Sequence, residues 1–111
     1  MSHVTNVVLL LSPLDEQNIG PVNDWLESQK KGRLHLVDQY GGNSKGMECS
    51  VAIGAFNFLN QDAFKAEVFR TAWTSPETVQ LLIRKQDDVR FSIYTVERQS
   101  DEQPWEPWLT K

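Results

Sequence analysis

The chain has a single cysteine, Cys49, among its 111 residues, so an internal disulfide is excluded. Its longest apolar run, residues 7–11, is far shorter than the roughly 20 residues needed to cross a bilayer. The start of the sequence also lacks the basic flank and small-residue cleavage site of a secretory signal. These absences predict a soluble, cytoplasmic protein in a reducing compartment, with no membrane partner.

A basic cluster is also missing from the sequence. The eleven Lys and Arg residues are scattered singly or in pairs among fifteen Asp and Glu, and the net charge is −4. Proteins that bind nucleic acid through its phosphates usually present a basic face. Nucleic acid is therefore not an expected partner.

The order of hydrophobic periods is the most informative feature that is present. Residues 4–12 are apolar at both parities, which indicates a strand in the middle of a sheet, covered on both sides. A helix is predicted within residues 15–31, with Pro21 in its first turn and Gly32 as its left-handed stop. The chain therefore begins with a strand followed by a helix.

Two hairpins and a second helix complete the pattern. Residues 33–40 and 47–56 form the first hairpin, and pairing Tyr40 with Met47 would turn Cys49, Val51 and Ile53 toward the helices. Asn60 is a good N-cap for the second helix, with Leu59 and Phe64 at the positions of a hydrophobic staple. Residues 79–85 and 89–96 form the closing hairpin.

The resulting order, β-α-β-β-α-β-β, is that of an α+β protein. Its first six elements resemble the ferredoxin-like two-layer sandwich, an antiparallel sheet with two helices on one face. The last strand would be an added C-terminal edge. We expect residues 1–97 to form a single domain and residues 98–111 to form a C-terminal tail that contains tryptophan and proline.

The candidates for catalysis each have a simpler explanation. Residues 41–46 are rich in glycine but are followed by a strand, so a hairpin turn is favoured over a phosphate-binding loop. His35 and Cys49 are a candidate base and nucleophile, but the register above places them on opposite faces. The acidic pairs at residues 15–16, 87–88 and 101–102 are typical of solvated turns and tails. The two histidines give no metal-ligand spacing, and no cofactor is expected.

Ferredoxin-like acyl-phosphate hydrolases hold phosphate after the first strand, with backbone amides and an arginine. The corresponding residues here, 12–18, include two acids and no arginine. The resemblance therefore does not extend to that activity.

The sheet face away from the helices is the strongest candidate for function. Its expected members are Val8, Leu10, His35, Val37, Ala52, Leu82 and Tyr94, mixed with Gln39, Glu48, Ser50, Gln80, Arg84 and Arg90. An apolar centre with a polar rim is typical of an interaction surface. Trp105 and Trp108 each offer about 150–250 Å² for burial. The occupant of this face remains open between the tail, a second copy in a homodimer, and a foreign protein.

The sequence therefore predicts a non-enzymatic accessory or inhibitor-type protein-binding module that acts through this face and the tail. Its expected binding residues are Val8, Leu10, His35, Arg84, Arg90, Tyr94, Trp105 and Trp108. The alternative is a small-ligand-binding protein or an enzyme with a pocket at the sheet face, using His35 with Arg84 or Arg90.

Overall fold

The computed structural model of the protein describes residues 3–37 and 48–96. Within these ranges lie five strands and two α-helices. The strands are β1 (Val4–Leu11), β2 (His35–Leu36), β3 (Ser50–Asn57), β4 (Gln80–Lys85) and β5 (Ser92–Thr95); the helices are α1 (Ile19–Ser28) and α2 (Gln61–Arg70). Short 3-10 helices, Pro13–Asn18 and Pro76–Thr78, precede α1 and β4. The glycine-rich residues 41–46 and the tail with Trp105 and Trp108 lie outside the described residues.

The strands form one sheet in the order β2-β3-β1-β4-β5, and every neighbouring pair is antiparallel. The α+β class and the central position of β1 are thus confirmed, with β5 at the edge beside β4. Along β1, Val7, Leu9 and Leu11 are buried while Val8 and Leu10 are half-buried. This alternation follows from the pleat, which turns successive side chains to opposite faces.

The core lies between one face of the sheet and the two helices. Its buried side chains come from β1, β3 and β4 and from both α1 and α2, including Leu9, Leu26, Phe64, Val68 and Leu81. Each such side chain contributes about 1.5–3 kcal/mol by leaving water. Because both helices pack on the face of Val7, Leu9 and Leu11, the opposite face of the sheet receives no helix from the described residues.

Helix α1 lies within the predicted range and has Pro21 in its first turn, but its left-handed stop comes earlier than predicted. It begins at Ile19, before Pro21, which still lies in the first turn where its missing N–H is harmless. It ends at Ser28, and Lys30 takes the left-handed conformation (φ 58°) two residues before Gly32. The N–H of Lys31 donates to the carbonyl of Leu26 at 2.9 Å, which closes the helix end in the manner of a Schellman motif.

The start of α2 agrees with its sequence signals. The Asn60 side chain accepts a hydrogen bond from the Ala63 N–H at 3.1 Å, which confirms it as the N-cap. Leu59 and Phe64 are both buried in the core, as expected of a hydrophobic staple. Trp73, beyond the last turn, is buried and donates its indole N–H to the Val68 carbonyl at 2.8 Å.

The register predicted for the first hairpin is wrong by one residue. His35 pairs with Ile53 and Leu36 with Ala52, so Ser50, Ala52 and Phe56 face the helices. A shift of one residue moves every side chain to the other face. On the helical side the rings of Phe56, Phe64 and Trp25 pack against one another, and the buried Ser50 and Ala52 are small side chains that suit such a close-packed layer. Val51 and Ile53 consequently face away from the helices.

Candidate functional site

We call the sheet face that points away from α1 and α2 the open face. Its main feature is an apolar row in which Ile53, Val8, Leu82 and Ile93 are successive cross-strand partners on β3, β1, β4 and β5. Cross-strand partners point to the same side of a sheet with their side chains in contact distance. His35 on β2 extends the row at one end, because it pairs with Ile53.

Two further rows flank the apolar row. On one side lie Val51, Leu10, Gln80 and Thr95, and Val37 joins them through a hydrogen bond from its N–H to the Val51 carbonyl at 2.8 Å. On the other side lie Ala55, Asn6 and Arg84. The open face thus has an apolar centre and polar residues at its margins.

The exposure of the row rises toward the sheet edges. Val8 and Leu82 are half-buried, whereas Ile53 is 44% exposed and Ile93 is 64% exposed. Single exposed apolar residues are ordinary on protein surfaces, whereas contiguous exposed apolar residues are typical of interaction surfaces.

The ionisable residues of the open face are basic side chains. Among its described residues, Arg84 and His35 are the ionisable ones, and none is acidic. The ion pairs formed within residues 3–37 and 48–96 join Arg33 to Glu27, Lys65 to Asp62 and Arg70 to Glu67. The guanidinium of Arg84 is therefore not neutralised by any of the described carboxylates.

Four of the predicted binding residues are brought together on this face: Val8, Leu10, His35 and Arg84. Arg90 is exposed in the segment between β4 and β5 and belongs to neither strand. Trp105 and Trp108 lie outside the described residues, so their role remains a prediction.

The placement of Tyr94 on the open face is wrong. Tyr94 pairs with the buried Leu81 and packs against the core on the helical side, and the Lys65 ammonium lies 4.2 Å from the centre of its ring. At this sheet edge an aromatic ring beneath a lysine gains both apolar contact and a cation–π interaction. Its neighbour Ile93 takes the open-face position instead.

Ala52 and Ser50 were also expected on the open face and lie on the helical side. Both are fully buried, and the Ser50 hydroxyl donates to the Glu16 carboxylate at 2.5 Å. Val51 and Ile53 replace them on the open face. The available sequence signal was Gly54, a residue without a side chain on the same face of the strand as Phe56. In the structure an ideal Cβ at Gly54 would lie 2.6 Å from the Cζ of Phe56, so this face is crowded.

The candidate catalytic pair does not assemble, though for a different reason than the sequence suggested. Cys49 precedes Ile53, the partner of His35, by four residues. Cys49 lies in a bend just before β3, and the three steps from Ser50 to Ile53 along the extended strand already span about 10 Å. The thiol and the imidazole are therefore too far apart for a proton to pass between them directly.

An open groove of about 410 Å³ lies beside β2, lined by the residues around the start of α1 and by Arg33 to Leu36. Three of its polar lining residues already have partners within the protein. The Asn23 amide bonds to both backbone groups of Leu34, Glu16 accepts from Ser50, and Arg33 pairs with Glu27. His35, which lines the groove, is exposed.

Asp15 is a buried carboxylate, contrary to the solvated acid that its sequence context predicts. It is 0% exposed and accepts hydrogen bonds from the backbone N–H groups of Thr74 (2.7 Å) and Ser75 (2.9 Å) and from the Asn18 amide (2.6 Å). Burial alone would raise the pKa of Asp15, but these hydrogen bonds favour the charged form and hold it below its ordinary value of 3.8. All its donors belong to the protein, so its role is to tie the segment after β1 to the segment after α2.

The described part of the chain contains no group of three or more His, Cys, Asp or Glu residues placed to hold a metal ion. None of its helices combines the length and apolar character required to cross a membrane. Comparison with models of known protein families, with curated proteins and with solved structures finds no match.

Proposed function

We propose that this chain is a small, non-enzymatic protein-binding module that engages its partner through the open face. The observation that carries the proposal is the apolar row Ile53, Val8, Leu82 and Ile93, which crosses four strands. When a partner removes a contiguous patch of apolar side chains from water, the free energy falls, and this favours binding. An accessory or inhibitor-type protein uses a surface of this kind.

The chemistry of the face also describes the partner. Its centre is apolar, so the partner presents apolar or aromatic side chains there. Arg84 lies at the margin and is not neutralised by the described carboxylates. An acidic group of the partner opposite Arg84 would set the orientation of the complex and speed its formation.

We further propose that the scaffold is a ferredoxin-like sandwich extended by β5. The support is the sheet order, in which β1 lies between β3 and β4 and β2 lies outside β3. The packing of both helices against one face of that sheet supports it as well. The arrangement explains why one face is left without a helical layer, but it carries no inference about activity.

Replacing Ile93 by glutamate tests the proposed interface. Because Ile93 is 64% exposed, the change should leave the fold intact, but it places an unpaired charge in the apolar centre of the complex. The partner is first identified by crosslinking the full chain in an extract of the cells that make it. Isothermal titration with that partner should then show binding at least tenfold weaker for I93E.

Phe58→Glu is the matched control, because Phe58 is 61% exposed and follows β3 outside the open face. Its affinity for the partner should equal that of the wild type. Equal affinity of I93E and the wild type would overturn the proposal. An equal loss in both variants would overturn it too, because the effect would then not belong to the open face.

A second candidate function is binding of a small polar ligand in the groove beside β2. The observation that favours it is the exposed imidazole of His35 in a concave surface, beside Arg33 and Glu16, which would have to exchange their partners Glu27 and Ser50 for the ligand. Small carboxylate and phosphate compounds added to the full chain should then shift the amide NMR signals of residues 33–36 and leave those of Leu82 and Ile93 unchanged. Signals of residues 33–36 that do not move at millimolar concentrations would rule this candidate out.

A further inference from the structure

We infer that residues 97–111 of the same chain occupy the open face in the free protein, with Trp105 and Trp108 on the apolar row. This inference rests on the proposed function, because it names the segment that controls access to the same face. The partner would then have to displace the chain's own tail.

The tail starts close enough to cover the whole face. The described residues end at Val96, directly after the edge strand β5, and nine residue steps lead from Val96 to Trp105. An extended chain covers about 30 Å in nine steps. The five-stranded sheet is about 19 Å wide from β5 to β2, at about 4.8 Å between strands. Trp105 therefore reaches any position on the apolar row.

The spacing of the two tryptophans fits the spacing of the strands. The sequence Pro104-Trp105-Glu106-Pro107-Trp108 favours an extended, polyproline-like backbone, since proline also restricts the residue before it. At three residues per turn and about 3.1 Å per residue, Trp105 and Trp108 would project from the same side about 9 Å apart. Two strand spacings, such as the distance from β5 to β1, are also about 9–10 Å. Both indoles can therefore contact one row of side chains.

The area of the face suits a tail better than a second copy. Its strands have eight, two, eight, six and four residues, and at about 16 Å² of sheet plane per residue they cover about 450 Å². A stable protein–protein interface buries about 800 Å² on each partner. Two tryptophans offer about 300–500 Å². The strands of the face alone thus cover less area than a stable interface buries, so a second copy or a partner protein would also need contacts beyond the strands, whereas the two indoles match the face.

Charge complementarity points in the same direction. Residues 97–111 contain four acidic and two basic residues, and Glu106 lies between the tryptophans. The described open face contains Arg84 and His35 and no acidic residue. An acidic segment crossing the face would gain favourable interactions with Arg84 at close range.

Covering the face has a direct consequence for binding. If the uncovered form is a small fraction of the free protein, the apparent dissociation constant for a partner rises in inverse proportion to that fraction. Removing the two indoles should therefore tighten partner binding, whereas a tail that belongs to the complex would weaken it when removed. The tail acts as an intramolecular competitor for the open face.

Methyl NMR of the full chain tests the inference with three variants: wild type, W105S/W108S and W105F/W108F. In the wild type, indole ring currents should move the methyl signals of Val8, Leu10, Leu82 and Ile93 upfield. W105S/W108S should lose these shifts, and W105F/W108F should retain them in part because its rings still cover the row. The methyl signals of Val7, Leu9 and Val68, on the helical side, serve as the internal control and should not move.

A dilution series with sedimentation analysis separates the possible occupants. Monomeric mass and shifts that do not change on dilution are expected for the chain's own tail. If a dimer is present and the ring-current shifts disappear as it dissociates on dilution, the face is covered by the tail of a second copy. That result would overturn the inference. Open-face methyl signals that are the same in wild type and W105S/W108S would also overturn it. The proposed function would survive either result if I93E still lost its partner, and would fail separately if I93E did not.

Discussion

Replacing Asp15 by asparagine is expected to lower the free energy of unfolding by about 3 kcal/mol. The Asp15 carboxylate is fully buried and accepts three hydrogen bonds, two of them from the backbone of Thr74 and Ser75. An asparagine oxygen at the Oδ1 position would still accept from Thr74 and Asn18, but the amide N–H₂ would then face the Ser75 N–H, which loses its acceptor. Because domains of this size are stable by only about 5–15 kcal/mol, urea unfolding followed by circular dichroism should show the loss clearly.

The same carboxylate predicts a pH dependence. The pKa of Asp15 in the folded protein lies below 3.8, its ordinary value, so the folded state holds the charged form more strongly than the unfolded chain does. Its contribution to stability is therefore complete above that ordinary value and is lost as the pH falls through the lower folded-state pKa. The stability difference between wild type and D15N should shrink over this acidic range.

Asp24→Asn is the control for D15N, because Asp24 is an exposed acid on α1 and its loss removes the same charge. We expect D24N to unfold within about 0.5 kcal/mol of the wild type. A D15N protein as stable as D24N at pH 7 would show that the hydrogen bonds of Asp15 do not stabilise the fold.

Replacing Gly54 by alanine is expected to cost about 2 kcal/mol, a large effect for one methyl group. A Cβ at this position would lie 2.6 and 2.9 Å from ring atoms of Phe56 and 3.3 Å from the Leu34 side chain. The Phe56 ring is buried and packs against Phe64 with 6.4 Å between ring centroids, so it has little room to withdraw. Urea unfolding again measures the change.

Two further variants identify the cause of the G54A effect. Ala55→Val adds bulk at the next residue, which is exposed on the open face, and should change stability by no more than about 0.5 kcal/mol. In a double-mutant cycle, F56L should remove part of the penalty of G54A, because the clashing ring is gone. Strictly additive effects of G54A and F56L would contradict this explanation.

The elements that the sequence predicted best are those in which local and global signals agree. In β1 both the odd-numbered and the even-numbered residues include apolar side chains, and a central strand can cover the apolar side chains on both of its faces. Around α2, the cap at Asn60 and the staple of Leu59 and Phe64 indicate the same helix start. The open-face positions of Val8, Leu10, His35 and Arg84 followed from these assignments.

The errors arose where neighbouring residues of both parities are apolar or small. In β3, the hydrophobicity of Val51 and Ile53 predicts that they face the core. Ser50 and Ala52 face it instead, because close packing against the helices leaves room only for small side chains. In β5, Ile93 and Tyr94 exchange faces for a related reason, since the ring contacts both the core and Lys65. Asp15 could not be recognised from its neighbours, because its backbone donors are 59 and 60 residues away in the chain.

The two edges of the sheet are unequal, and this limits how the molecule can add strands. Next to β2, the Leu34 N–H and C=O are both bonded to the Asn23 side chain, and β2 itself has two residues. At the other edge, β5 presents four residues, Ser92 to Thr95, without a charge or a proline to block pairing. Within the described residues, a strand from another molecule therefore has one usable edge to join. If two copies paired through β5, the β5 edge of each copy would be occupied. The sheet could then extend to a dimer but not into a fibre.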